Sequence, residues 1–383
     1  MWLDAIRSMD AELELLAFTP SRADTSPESA ARTSRVLAAE WGVRAEVTLC
    51  PTALAVSRPR SPETYLAPIF FMRGHSEFGV FGGPRQEAAL SAALARAPDV
   101  VFFHTLYGAA GHWKRPAGAK VFLDMPDIEH RRFLREITQP PRRALKPLQR
   151  LWVPSLWWGE RSVITRSDQA FVCSETDREY LGRAMGVYNI RVIPNATAHV
   201  PDQAPSAEAN VLFIGTYTYG PNRVAADYLV REVWPLLAKL RPEARLLIAG
   251  PRCEDVAGYD APPAGVDYLG FVPDLDALYA RTRVFCCPIQ SGGGTRVKIL
   301  EAANHGVPIV STPIGAEGIE LEPEREILLR RSAADIAGAC AELLAAPVRA
   351  HALGTAGRER VRALYGREAI VERMRRLLAG VAA

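Results

Sequence analysis

The chain has 383 residues, 48% of them hydrophobic, and 46 Lys+Arg against 43 Asp+Glu give a formal net charge of +3. At roughly 100–200 residues per domain this length predicts two domains. The small net charge argues against a nucleic-acid partner, which favours a large, clustered basic excess.

The six cysteines form no C-x-x-C pair and are not spaced with histidines as zinc ligands are, so no metal is predicted and a reducing, cytoplasmic setting is. The first residues, MWLDAIRSMDAELELL, carry acids where a signal peptide is basic and then apolar. No run of about 18 apolar residues predicts a membrane-spanning helix.

In the first half, the apolar runs 12–18, 45–50, 99–105, 120–125 and 169–174 read as strands, and 189–195 as the last before a boundary. Residues 26–42 read as a helix, with Ser26 as N-cap, Pro27 in the first turn and Gly42 as its stop. His104 falls at one strand end, and Asp124, Asp127, Glu129 and His130 fall near another. Strand C-termini are where α/β sites form. Asp127 therefore reads as a catalytic candidate or as a cap for the following helix, and His104 as a catalytic candidate or a satisfied buried histidine. Asn195 reads as fixing a turn at the hinge.

Segment 138–161 is unusual. Arg142, Arg143, Lys146 and Arg150 fall near one helical face, and Trp152, Trp157 and Trp158 follow. It reads either as a solvated basic face with packed tryptophans or, through 142–158, as a peripheral contact with anionic lipid. The polar, proline-rich stretch 196–209 reads as a linker between an N-terminal domain, 1–195, and a second, 210–366.

The second half alternates strand runs (210–216, 244–250, 266–272, 284–289, 307–312) with helical patterns (221–240, 274–281, 295–306, 333–346). Its strands are apolar throughout, as in strands buried on both faces. The alternation predicts a parallel, doubly wound α/β sheet.

The stretch SGGGTRVKILEAANHG, residues 291–306, gathers the chemistry. Bare backbone at Gly292, Gly293 and Gly294 leaves N–H groups unobstructed, and the helix that follows adds its own unpaired N–H groups and positive dipole end. Arg296 and Lys298 add charge in a first turn where acids are usual, which predicts an anionic ligand. Glu301 shares a face with Lys298 and suits a sugar hydroxyl. The bland reading is a flexible loop and an amphipathic surface helix. The phosphate-loop and dinucleotide glycine patterns are both absent.

Residues 210–320 resemble the C-terminal domain of glycosyltransferase family 4. The matching stretches are FIGTYTYGPN, LLIAGP, YLGFVPDLDALYA and PIQSGGGTRVKILEAANHGVPIVSTPIGAEGIE, with FVCSETDREYL and VIPNATA upstream. The resemblance implies a GT-B fold, two facing Rossmann-like domains, and a C-terminal helix, 367–383, crossing back to the first. It implies retaining, metal-independent transfer of a sugar from a nucleotide-diphosphate donor to an acceptor small molecule, glycan or lipid, with no cofactor.

By that similarity Gly215, Thr216, the three glycines, Thr295, Arg296 and Lys298 hold the diphosphate, Glu301 the ribose, and Arg252 and Val272 lie near the nucleobase. The chain departs from the family in two places. Gly293 stands where a glutamate often meets the donor sugar. The chain also opens on a helix-like stretch where a first strand and glycine loop are usual. The start is therefore expected to lie upstream, or run 13–18 serves as the first strand, or the domain is degenerate. The alternative functions are a catalytically inactive GT-B partner protein, a nucleotide-sugar epimerase of the same fold, or a non-enzymatic membrane scaffold.

Overall fold

The computed structural model describes residues 1–6, 12–19, 24–51, 84–109, 113–138 and 146–382. The chain divides into two compact units, Met1–Pro194 with Glu368–Ala383, and Asn195–Arg367.

The first unit opens with α1 (Trp2–Ile6), β1 (Leu13–Thr19), α2 (Pro27–Trp41), β2 (Ala45–Pro51) and α3 (Pro84–Leu94). It continues with β3 (Val100–His104), β4 (Lys120–Met125), α4 (Glu129–Thr138), a 3-10 turn (Lys146–Trp152), α5 (Val153–Arg166), β5 (Gln169–Val172), α6 (Glu175–Met185) and β6 (Ile190–Val192). Local chemistry sets these limits. Ser26 and Ser174 accept the N–H of Ser29 and Asp177 at the starts of α2 and α6, and left-handed Gly42 and Gly186 end those helices.

All strand pairs are parallel and fall in two sheets, β1-β2 and β3-β4-β5-β6. Trp2 of α1 packs its ring on Phe102 and Phe171, with centroids 4.7 and 4.9 Å apart. Leu16 of β1 packs against the same core as Val101, Leu123 and Ile164.

The tryptophans of the unusual segment divide. Trp152 is buried in a satellite cluster with Phe133, Ile137 and Leu156, and Trp157 packs on the main core. Trp158 is 48% exposed, as are Leu148 (51%) and Leu151 (53%) of the preceding turn. Arg142 and Arg143 lie outside the described residues.

The second unit contains β7 (Asn210–Ile214), α7 (Gly220–Tyr228), a π turn (Leu229–Val233), α8 (Trp234–Leu240), β8 (Arg245–Ala249), β9 (Val266–Gly270), α9 (Leu275–Ala280) and β10 (Val284–Cys287). Then follow α10 (Val297–Asn304), β11 (Ile309–Ser311), β12 (Leu328–Leu329), α11 (Ala333–Ala345) and α12 (Pro347–Tyr365). Helix α13 (Arg367–Ala382) returns the chain to the first unit from Glu368 onward.

The single helix expected over 221–240 is broken by the π turn just before Pro235. That residue has no N–H for the usual bond four residues back, and the ladder widens there. The sheet runs β12-β11-β10-β7-β8-β9, all parallel. Phe213 and Phe285 are fully buried on neighbouring strands, each contributing about 1.5–3 kcal/mol. Residues 196–209 cling to this unit. Thr197 N–H donates to Tyr365 O, Asn304 Nδ2 to Ala198 O, and Arg362 to Val200 O and to the Asp202 carboxylate.

Candidate active site

The strand order of the second unit reverses between β7 and β10. Loops leaving the C-terminal ends of strands on either side of such a point diverge and leave a crevice. Here they are 215–219, with Gly215 and Thr216, and 288–296, with the three glycines. Gly215 and Gly250 let two such loops touch: a Cβ on Gly250, which sits at φ 122°, would lie 2.0 Å from Gly215 O.

The glycine loop is folded around one side chain. Gly292 and Gly294 take φ of 107° and 61°, open to glycine and costly to other residues. Arg296, 9% exposed, turns back into the loop. Its Nη1 donates to Gly293 O at 2.6 Å and to Gly294 O, and its Nη2 to Ser291 O at 3.4 Å. Besides the charge expected of it, the Arg296 guanidinium thus shapes the loop. Thr295 Oγ1 accepts from Asn195 Nδ2 at 2.6 Å, so Asn195 reaches the loop rather than only fixing a turn. With the carbonyls engaged by Arg296, the N–H groups of Gly293 and Gly294 meet no acceptor among the described residues.

Lys298 lies one residue into α10. Its Nζ donates to Asn222 Oδ1 at 2.8 Å and stands 4.7 Å over the Phe213 ring. The residue keeps a partly exposed edge, but its ammonium is enclosed, and burial lowers its pKa to about 8. Among the described residues neither Lys298 nor Arg296 forms an ion pair with a carboxylate. Two cations held at a helix start without an ion-paired acid concentrate positive charge there, where the helix dipole already disfavours it. Glu301 is partly buried, and that burial raises its carboxyl pKa against the pull of His305 and Lys298.

The remaining donor-side candidates are more open. Thr216 is exposed. Arg252 follows β8 with φ 65° and is paired with Asp255 and Glu254 of its own turn. Val272 follows β9, and its neighbour Phe271 is 72% exposed. Phe271 and Asn222 went unnoticed as site residues in the sequence, and Asn195 was read as a turn residue. Only Phe271 left a signal there, as an aromatic just past a strand end.

In the first unit, His104 ends β3 and is the register partner of Asp124, one residue before the end of β4. His104 Nδ1 lies 2.7 Å from Asp124 Oδ2, and this bond raises the imidazole pKa. The His104 side chain is 68% exposed, so the buried-histidine reading does not describe it. Thr105, a β-branched residue, holds φ 70° immediately after it, a conformation of appreciable strain. Asp127 is partly exposed in the turn before α4.

That turn is anchored from below. The fully buried Glu160 accepts the N–H groups of Glu129 (2.6 Å) and His130 (3.2 Å) and bonds the His130 ring, whose Nε2 lies 2.8 Å from the Tyr180 hydroxyl. Among the described residues no three His, Cys, Asp or Glu side chains converge as a metal site would require.

A family model described as "Glycosyl transferase 4-like domain" matches residues 2–196, and one described as "Glycosyl transferases group 1" matches 208–346. The chain is 26% identical over 136 residues to an uncharacterized 44.6 kDa protein in the cps region of Klebsiella pneumoniae. It is 30% identical over 168 residues to a GDP-mannose-dependent monoacylated alpha-(1-6)-phosphatidylinositol monomannoside mannosyltransferase of Corynebacterium glutamicum. These matches cover 32% and 41% of the chain but only 35% and 44% of the relatives, so the chain spans less than half of each.

Among solved structures, sucrose-phosphate synthase from Thermosynechococcus elongatus superposes with TM-score 0.66 at 19% identity, covering 97% of this chain and 99% of that one. Anabaena HepE in complex with UDP and glucose gives 0.64 at 13% identity, covering 98% and 94%. Two parallel α/β units, a family model spanning half the chain and these full-length superpositions place the chain in the glycosyltransferase 4-like family, with the GT-B fold.

Proposed function

We propose that this protein transfers a sugar from a nucleotide-diphosphate donor to a hydroxyl acceptor, with retention of configuration and without a metal ion or other cofactor. The observation that carries the reading is the unneutralised pair Arg296 and Lys298 beside the open N–H groups of Gly293 and Gly294. As the sugar–oxygen bond to the diphosphate breaks, negative charge grows on the leaving oxygen. Fixed cations and amides stabilise it without reorganising. Supplying that charge from side chains is what makes the reaction metal-independent in this proposal.

Gly215, Thr216 and Thr295 complete the diphosphate pocket in this reading, Glu301 takes the ribose hydroxyls, and Arg252, Phe271 and Val272 flank the base. The His104–Asp124 pair, with Asp127, handles the acceptor. The named activity of the Corynebacterium relative, on an acylated phosphoinositide mannoside, supports a lipid among the candidate acceptors. Exposed Leu148, Leu151 and Trp158 beside Arg150 support contact with an anionic membrane through the described part of 142–158, and the six free cysteines support a reducing, cytoplasmic setting.

The test is a thermal-shift panel of UDP, GDP, TDP and ADP sugars, followed by product analysis with and without EDTA. Stabilisation by one donor, lost in Lys298→Ala, and a glycosylated product of retained anomeric configuration are expected. Nucleotide binding without turnover marks an inactive relative, and isomerised donor marks an epimerase.

A further inference from the structure

The partner of Lys298 is an amide where an ammonium in a protein interior ordinarily has a carboxylate. Asn222 is 9% exposed and held at both ends: Oδ1 accepts from Lys298 Nζ at 2.8 Å, and Nδ2 donates to Thr216 O at 3.0 Å. The two contacts fix which end of the amide is oxygen, since only nitrogen can donate to a carbonyl. Gly215 makes room for the pair, as a Cβ there would come within 2.9 Å of both Asn222 Cγ and Lys298 Nζ. The Phe213 ring beneath adds attraction without charge. The ammonium is thus oriented by dipoles and a π face; the charged and titratable groups it feels, Arg296, Glu301 and the Cys287 thiol, form no ion pair with it, so its charge is not cancelled.

We infer that Asn222 is a positioning residue of the anion site: it aims Lys298 at the ligand without cancelling its charge. This rests on the donor-site reading above. An aspartate at 222 has the same shape but supplies the missing carboxylate and, like alanine, loses the donor to Thr216 O. It would occupy the ammonium permanently and compete with the diphosphate.

Inorganic pyrophosphate, UDP and GDP are titrated into the full chain, wild type, Asn222→Ala and Asn222→Asp, at pH values from 6.5 to 9.5. Wild type is expected to bind best, Asn222→Ala several-fold more weakly, and Asn222→Asp weakest, by more than tenfold. Loss of the wild type's pH dependence is expected in Asn222→Asp, because an ion pair keeps Lys298 protonated across the range. Equal binding by Asn222→Asp and wild type overturns the inference. So does an Asn222→Ala as weak as Asn222→Asp, which reports lost packing alone. If wild type binds none of the three ligands, the donor-site reading itself fails, a result distinct from either.

Discussion

His104 Nδ1 and Asp124 Oδ2 meet at 2.7 Å across a β3–β4 register pair, one group largely exposed and the other nearly buried. The bond raises the His104 pKa above 6.5. Its contribution to stability is therefore full below the unfolded pKa and is lost as pH rises through the folded one. Solvent screening at so exposed a ring keeps it below about 1 kcal/mol. An NMR titration should find the His104 midpoint above 6.5 in wild type and lower in Asp124→Asn. An unchanged midpoint in that variant would show that Asp124 does not control the ring.

Lys298 makes nucleotide binding pH-dependent through the loss of its own charge. Its ammonium is charged below about pH 8 and neutral above, so affinity for UDP or GDP should fall as pH rises past that value.

The same burial makes Lys298 a stability liability. Between about 8 and 10.5 the unfolded chain binds the proton and the folded one does not, so this residue's contribution to stability rises with pH over that window. Lys298→Met should lose nucleotide binding yet resist urea better at pH 7, by about 1–3 kcal/mol. The gain should shrink at pH 9.5.

Arg296→Lys should damage the loop while keeping the charge. A lysine cannot span the carbonyls of Ser291, Gly293 and Gly294 that the guanidinium joins. A loss of about 1–3 kcal/mol in stability and a raised donor KM are expected. Wild-type values in both assays would refute the shaping role.

Glu160→Ala should be among the more destabilising substitutions in the first unit. It strands two N–H groups at the start of α4 and the His130 ring in a dry interior. A cost of about 3–5 kcal/mol is expected by equilibrium denaturation, with Glu160→Gln milder because its amide oxygen can still accept.

Much of the second unit was legible because its strands are buried on both faces and its helices carry local stop and start chemistry, such as Asp274 capping α9 and Ser332 capping α11. The glycine loop was legible because three bare residues before two cations have few structural uses. Asn222 was not, since its partner lies 76 positions away and only the β7–β10 adjacency brings them together. Nor was the inward turn of Arg296, which depends on carbonyls exposed by two left-handed glycines. Glu160 was not legible either, because its partners come from a turn some 30 residues earlier.

The grip of Arg296 on the loop carbonyls has a thermodynamic consequence. Each carbonyl shares a peptide unit with the N–H of the next residue and points opposite to it, so anchoring Gly293 O and Gly294 O fixes the direction of the Gly294 and Thr295 amides before any ligand arrives. The ordering entropy of three glycines, the largest per residue of any type, is then charged to folding rather than to association. Donor capture by the wild type should accordingly show a small entropic penalty in calorimetry.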